Sequence, residues 1–308
     1  MRKILLIAIV SVPLLIYAQD VKISQGKLTF DGCIWAQCRL TKDTFTFNRR
    51  NAFIGLTANL TSWATSRIYF DIADISNKPL YDLYVNLKPI SNLGIIFGQF
   101  KLPLGIEVLT KPENLELIDY SLIGRTPQRA PKGTRDIGVQ MSYKQSLIEA
   151  SVACVNGVGR NIIPDDNKNK CFAGRIIAKP IAVPLLVPGI NFYLGKYEPD
   201  TSFHRLGAEV NFAFNPISVK TEFLHTKDVS VAGTGFYIQS SYIWKFLQPV
   251  IRFSTYKKQS HDRNNELTLG INYRPLADNL KIMLNYKFEQ IDNNTNQKNL
   301  VCQLQFAF

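Results

Sequence analysis

The residues best suited to chemistry in this sequence are arginines and lysines around one irregular stretch, residues 102–134. Lys101 precedes the stretch, Arg135 follows it, and Arg125, Arg129 and Lys132 lie in its second half. Guanidinium and ammonium groups bind carboxylate and phosphate oxygens, so this grouping favours recognition of anions. The alternative is that these cations form salt bridges with the acidic residues of the first half, which are Glu107, Glu113, Glu116 and Asp119.

Patterns for covalent catalysis or metal binding are weak. The sequence has only three histidines, His204, His225 and His261, and they are far apart. It contains no G-x-S-x-G motif, and none of its five cysteines has the C-x-x-C spacing of a zinc site. We therefore expect no catalytic residues, no metal and no cofactor, and the sequence does not predict an enzyme.

The cysteines could instead form a disulfide in an oxidising compartment. Cys154 and Cys171 flank the connection 157–171 and would lie at the ends of neighbouring strands, within reach of each other. A second pairing, of Cys33 or Cys38 with Cys302, would join the first and last strands.

The N-terminus resembles an export signal. Arg2 and Lys3 precede an apolar run from Ile4 to Ile16, and Ala18 precedes a possible cleavage at Gln19. The apolar run is too short for a spanning helix, which makes a membrane anchor the weaker alternative. We expect a signal peptide at 1–18 and one domain at 19–308. The formal net charge of +12 is scattered along the chain, so no nucleic-acid partner is expected.

The rest of the chain is dominated by alternation of apolar and polar residues, which is typical of strands with two different faces. In one example, Ile282, Leu284 and Tyr286 alternate with Met283 and Asn285. About sixteen such segments occur, many near the 9–11 residues that a tilted strand needs to cross a bilayer. A soluble β-sandwich would also alternate, but it would rarely need so many strands. The pattern predicts an all-β fold, a transmembrane antiparallel β-barrel of about 16 strands.

Two segments refine this prediction. The last strand alternates and ends in Phe308, the form of terminal strand that the barrel assembly machinery of the outer membrane reads. Connections alternate between short and long, and residues 102–134 form the third long one. The apolar residues of this stretch indicate that it packs against something. We expect this extracellular loop to fold into the lumen.

Two motifs resemble the phosphate-selective porin O and P family: GQFKLPLG at residues 98–105 and RDIGVQ at residues 135–140. Residues 67–71 and 81–85 are also similar to that family. The resemblance implies a 16-stranded, trimeric channel of the Gram-negative outer membrane, embedded in its lipid. It also implies a third loop that narrows the lumen, with basic residues that select anions such as phosphate.

The function expected from the sequence is therefore a water-filled porin for passive diffusion of small solutes, with a preference for anions. Phosphate follows from the resemblance alone. The alternatives are a general diffusion porin without selectivity, and a plugged structural or enzymatic barrel. More basic than acidic residues fall on the phase of the strands that faces the lumen. The expected constriction consists of Lys101, Arg125, Arg129, Lys132 and Arg135, with Arg67 and Arg49 on the facing wall.

Overall fold

A computed structural model of the chain describes residues 21–22, 26–74, 78–126, 129–163, 165, 168–183, 185–198, 201–229, 231–259, 261, 263–291 and 295–308. The expected signal peptide at 1–18 lies outside these residues. Among the described residues, no helix is long and apolar enough to cross a membrane.

Strands make up most of the molecule, and sixteen long ones follow a two-residue strand. Their bounds are β1 Val21–Lys22, β2 Lys27–Leu40, β3 Phe45–Asn59, β4 Ala64–Asp71, β5 Leu80–Ile90, β6 Leu93–Lys101, β7 Arg135–Lys144, β8 Ile148–Val155, β9 Cys171–Ala178, β10 Leu186–Glu198, β11 Thr201–Phe214, β12 Ile217–Asp228, β13 Val231–Tyr242, β14 Leu247–Lys258, β15 Arg263–Tyr273, β16 Leu280–Ile291 and β17 Thr295–Ala307.

The sixteen long strands close into one antiparallel barrel. Each strand from β2 to β17 pairs with its neighbours in sequence, and β17 pairs with β2 to form the seam. The seam reaches the last residue, because the backbone groups of Gly32 and Phe308 exchange two hydrogen bonds. The predicted all-β barrel of about 16 strands is confirmed. Closure leaves no free strand edge, which is what a sheet surrounded by lipid requires.

The two faces of the barrel are inverted relative to a soluble protein. Apolar side chains such as Leu269, Ile282 and Phe306 are exposed on the outer surface. Charged and polar side chains such as Arg252 and Glu266 are buried inside. Because side chains alternate along a strand, each strand contributes to both faces at once. The outer face is therefore suited to hydrocarbon, and the fold is that of a transmembrane β-barrel.

The long connection 102–134 lies inside the barrel, as predicted. It contains two short helices, α1 (Ile106–Leu109) and α2 (Leu122–Arg125), and a 3-10 turn at Pro112–Asn114. Ser121 caps α2 by accepting a hydrogen bond from the backbone N–H of Gly124. Several of its apolar side chains, including Leu117, Ile118 and Ile123, are fully buried against the wall. Burial of these residues explains why an irregular segment of this length carries an apolar sequence.

The structure corrects the expected disulfide between Cys154 and Cys171. Both thiols are free, and Cys154 is exposed whereas Cys171 is buried. In the β8–β9 pairing, Cys171 lies opposite Val155, and Cys154 lies opposite Phe172. This offset of one residue puts the two side chains on opposite faces of the sheet. The other pairing has better geometry, because Cys38 lies directly opposite Cys302 across the seam, and both side chains are partly exposed.

Mild oxidation with copper–phenanthroline is therefore expected to link Cys38 to Cys302. Directly opposed residues of antiparallel strands have Cα atoms about 4.5–5.5 Å apart, within the range for a disulfide. The cross-link would tie residue 38 to residue 302, so the unfolded chain should migrate faster on a non-reducing gel. Cys302→Ser should abolish the shift, and Cys154→Ser should leave it unchanged. A link that peptide mapping assigns to Cys154 and Cys171 would contradict the register described here.

Candidate functional site

Residues 102–134, the lumen loop, dock against one half of the barrel wall. Three of their backbone N–H groups donate hydrogen bonds to wall side chains. Glu107 donates to Glu222 on β12 at 2.6 Å, Leu122 to Ser254 on β14 at 2.9 Å, and Ile118 to Asn285 on β16 at 2.8 Å. These bonds satisfy buried backbone groups that have no partner in a helix or sheet. The loop is therefore fixed to the wall formed by β12–β16.

A buried ion pair anchors the loop at both of its ends. Arg129 donates to the carboxylate of Glu222 and to the carbonyl of Leu104, and its side chain is only 3% exposed. Tyr237 also donates to Glu222, at 2.8 Å. Gly105 lies directly against this ion pair with φ +93°, where a Cβ would collide with both charged groups. A glycine is thus required for the chain to turn inward at this point.

Glu107 forms a second buried anchor, within α1. Its carboxylate accepts hydrogen bonds from the backbone N–H and the hydroxyl of Ser121, and it forms a salt bridge of 3.2 Å with Arg252 on β14. Burial raises the pKa of Glu107 above its ordinary value, even though Arg252 lowers it. The carboxylate therefore joins the two helices of the loop to the wall.

Two more charged residues of the loop, Arg125 and Asp119, are also paired with the wall. Arg125 forms salt bridges with Glu266 on β15 and with Glu289 on β16. Asp119 accepts from three cations of the wall, which are Arg39, Arg50 and Lys287. Burial by itself would raise the pKa of Asp119, but the positive charges around it outweigh burial and lower it. Each pairing neutralises a loop charge on the docked side.

The opposite side of the lumen stays open, as three adjoining cavities. The basic chamber, about 350 Å³, is lined by residues that include Arg50, Tyr81, Lys132 and Arg160. The middle cavity, about 410 Å³, is lined by Arg67 and Arg135 among others. The turn cavity, also about 410 Å³, lies by the β5–β6 turn at Asn92. Lys101 lines all three cavities, so they meet at its side chain.

Two of the three cavities on the open side are strongly positive. Among the described residues, five basic side chains and no acidic one line the basic chamber. The turn cavity has a single acidic residue, Glu149, against four basic ones. The middle cavity is more balanced, because it contains Asp31, Asp82 and Glu113. A narrow aqueous path with low-dielectric walls focuses such charge onto passing ions.

Several of these basic side chains are held in place by carboxylates or aromatic rings. Arg67 makes a two-pronged contact with Asp31, at 2.7 and 2.8 Å, and Arg135 donates to Asp82 at 2.7 Å. Arg135 also lies over the ring of Tyr81, with 4.7 Å between the guanidinium carbon and the ring centroid. Lys101 donates to the carbonyl of Thr110 at 3.3 Å. These contacts fix the positions of the charges along the path.

Two β-bulges turn residues of the basic chamber inward. In the β2–β3 ladder, Asn51 pairs with Trp35 and Arg49 pairs with the next residue, Ala36. Arg50 is therefore left without a partner in β2. In the β4–β5 ladder, Asp82 pairs with Tyr69 and Leu80 pairs with the next residue, Phe70. Tyr81 is therefore left without a partner in β4. A bulge inserts an extra residue and redirects its side chain. Regular alternation assigned Arg50 and Tyr81 to the outer face, so the sequence did not identify them.

Four of the seven residues expected at the constriction line the open side: Lys101, Lys132, Arg135 and Arg67. Arg125 and Arg129 are corrected, because both form ion pairs with the wall on the docked side of the loop. Arg49 lies on β3, but its side chain is outside the described part of the structure. Arg160 was missed because it lies in a different connection, between β8 and β9.

Comparison with solved structures identifies a known architecture. The chain is similar to an anion-selective porin from Comamonas acidovorans, with a TM-score of 0.72 and 11% identity over 92% of this chain and 100% of that one. The fold is a porin fold. The outer-membrane channel DcaP of Acinetobacter baumannii gives a TM-score of 0.71 and 10% identity, with 93% and 99% of the two chains covered.

A third porin fold, Salmonella typhi OmpF in complex with daunomycin, gives a TM-score of 0.68 and 12% identity over 94% of this chain and 100% of that chain. No protein-family model and no curated protein matches the sequence. At these identities the comparisons establish the fold alone. The porin fold provides a lumen, and the side chains described above provide its charge.

Proposed function

We propose that this chain is an outer-membrane porin of a Gram-negative bacterium that conducts small solutes passively and prefers anions. The observation that carries the proposal is the charge of the open side, where basic residues outnumber acidic ones in each of the three cavities. Three of the four carboxylates of the loop, those of Glu107, Glu116 and Asp119, are instead paired with cations of the wall. Carboxylates on the docked side of the loop cannot contact a cation that moves along the open side. Cations passing Lys101 would therefore meet a higher barrier than anions.

Selection would take place where the cavities meet. Lys101, Lys132 and Arg135 lie on or beside the lumen loop, and Arg67 faces them from β4. Arginine offers a planar fork to an oxyanion, whereas lysine acts as a point charge. Phosphate is one candidate permeant on the strength of the motifs at residues 98–105 and 135–140, and the relation to the phosphate-selective porins O and P belongs to this proposal.

The cellular context is part of the proposal. Residues 1–18 would direct export and be removed, and the strand ending at Phe308 would be read by the assembly machinery. One structural neighbour, OmpT of Vibrio cholerae, is described in a trimer form, which supports a homotrimer here as well. Chemical cross-linking of the detergent-solubilised protein should give species up to three chains and none larger.

The purified protein in a planar bilayer between unequal KCl solutions is expected to pass stepwise ionic currents. The reversal potential should have the sign of a chloride preference. Because salt screens charge over about 10 Å at 0.1 M, the preference should weaken as the KCl concentration rises. Absence of current would favour a plugged barrel. Current with equal permeability for both ions would support the second candidate, a general diffusion porin.

A further inference from the structure

The basic chamber has two properties that a purely electrostatic filter does not need. Its lining includes four aromatic side chains, Trp35, Phe53, Tyr81 and Tyr120, beside its five cations. Its volume of about 350 Å³ is within the range of small-molecule sites. A fully hydrated inorganic anion gains little from aromatic walls, whereas an organic anion can bury its apolar body against them.

Two donors without partners belong to residues that line the same chamber. Arg160 Nη1 and Trp35 Nε1 are buried and make no hydrogen bond within the described part of the chain. Both residues line the chamber, and Trp35 is only 6% exposed. A buried donor without an acceptor is costly, so the pair favours a ligand that brings oxygen atoms. A carboxylate provides acceptors for both.

The guanidinium groups are arranged on aromatic faces. The guanidinium carbons of Arg160 and Arg135 lie 4.0 and 4.7 Å from the centroid of the Tyr81 ring. The guanidinium of Arg50 lies 5.4 Å from the Trp35 ring. Stacking holds these groups in place. Arg50 and Arg135 are also paired with Asp119 and Asp82, whereas Arg160 Nη1 has no partner among the described residues. The bulges at Arg50 and Tyr81 are what bring both side chains into the chamber.

We infer that the basic chamber is a binding site for small organic carboxylates with a planar, apolar body, of which benzoate is the simplest probe. This inference rests on the proposed anion path and names the class of solute that the path would favour. The carboxylate would accept hydrogen bonds from Arg160 and Trp35, and the ring would pack among the aromatic side chains. Inorganic phosphate matches the positive charge of the chamber, but it has no apolar surface to pack against the aromatic walls.

The test is blockade of the chloride current through single channels by benzoate, acetate and inorganic phosphate at equal concentrations. Benzoate is expected to interrupt the current at concentrations at least about tenfold lower than acetate or phosphate, a difference of about 1.4 kcal/mol. Arg160→Gln should weaken the benzoate block about tenfold. The matched control is Lys168→Gln, which removes one exposed positive charge from the same connection, and it should leave the block unchanged.

The possible outcomes separate the two proposals. A channel without chloride preference would refute the proposed function itself. A chloride-preferring channel that benzoate blocks no better than acetate would leave the proposed function intact and refute this inference. Stronger block by phosphate than by benzoate would also refute it and would favour a phosphate site. Tyr81→Leu provides a second check, because it should weaken the block by benzoate more than the block by acetate.

Discussion

Lys101→Glu is expected to reduce the anion preference of the channel sharply, and Lys101→Glu combined with Arg135→Glu is expected to invert it. Lys101 lines all three cavities of the open side, so its charge acts on an ion in any of them. At a separation of about 5 Å in water, one unit charge contributes roughly 0.8 kcal/mol, and reversing its sign doubles the change. The permeability ratio should therefore shift on the order of tenfold for each reversed charge.

The measurement is the reversal potential in a KCl gradient at low ionic strength. A matched control, Lys42→Glu with Lys257→Glu, changes the net charge equally at two exposed positions away from the cavities. It should leave the reversal potential near that of the unchanged protein. Lys101→Gln separates loss of a positive charge from gain of a negative one and should give an intermediate value. An unchanged potential in the double glutamate variant would remove both residues from the filter.

Glu222→Gln is expected to release the lumen loop from the wall. The change removes the charge that balances Arg129 in a site where both side chains are almost fully buried. Breaking a buried ion pair by removal of one partner typically costs about 3–5 kcal/mol. The strand ladder of the barrel is not involved, so the variant should still form a barrel. Its conductance should rise and fluctuate as the loop leaves the lumen.

Limited trypsin digestion gives a direct readout of this release. Arg125 and Arg129 are held against the wall, so cleavage after them should be slow in the unchanged protein and fast in the variant. Glu209→Gln is the matched control. Glu209 lies directly opposite Glu222 in the β11–β12 pairing but binds Arg175 on the wall and not the loop. Equal cleavage in both variants would show that the Glu222–Arg129 pair does not anchor the loop.

The sequence predicted the barrel well because alternation is a local property. The strand at 280–291, for example, alternates in residue type along its whole length, and no distant information is needed to recognise it. The inward position of residues 102–134 also followed, since their apolar side chains required a surface to pack against. The strands predicted from alternation match the observed strands because the pairing between neighbouring strands is regular over most of the barrel.

The arrangement of the candidate site depended on features that a local pattern does not contain. The bulges at Arg50 and Tyr81 depend on how two strands pair, and one extra residue reverses the face assigned by alternation. The roles of Arg125 and Arg129 depend on wall carboxylates at Glu266 and Glu222, far along the chain. The same arginines could equally have faced the open path, and only their partners decide between the two positions.

The docking of the lumen loop also constrains the order in which the molecule can assemble. Arg39 and Arg50 precede the loop in the chain, but most of the wall groups that hold it follow it. These range from Glu222, which is 115 residues beyond Glu107, to Gln305, which is 192 residues beyond Glu113. Contacts over such separations form late, because the intervening chain must first be placed. The loop can therefore lock only after the C-terminal half of the barrel exists. Closing the seam and narrowing the path should be nearly simultaneous steps, and an incomplete barrel would have a lumen without its filter.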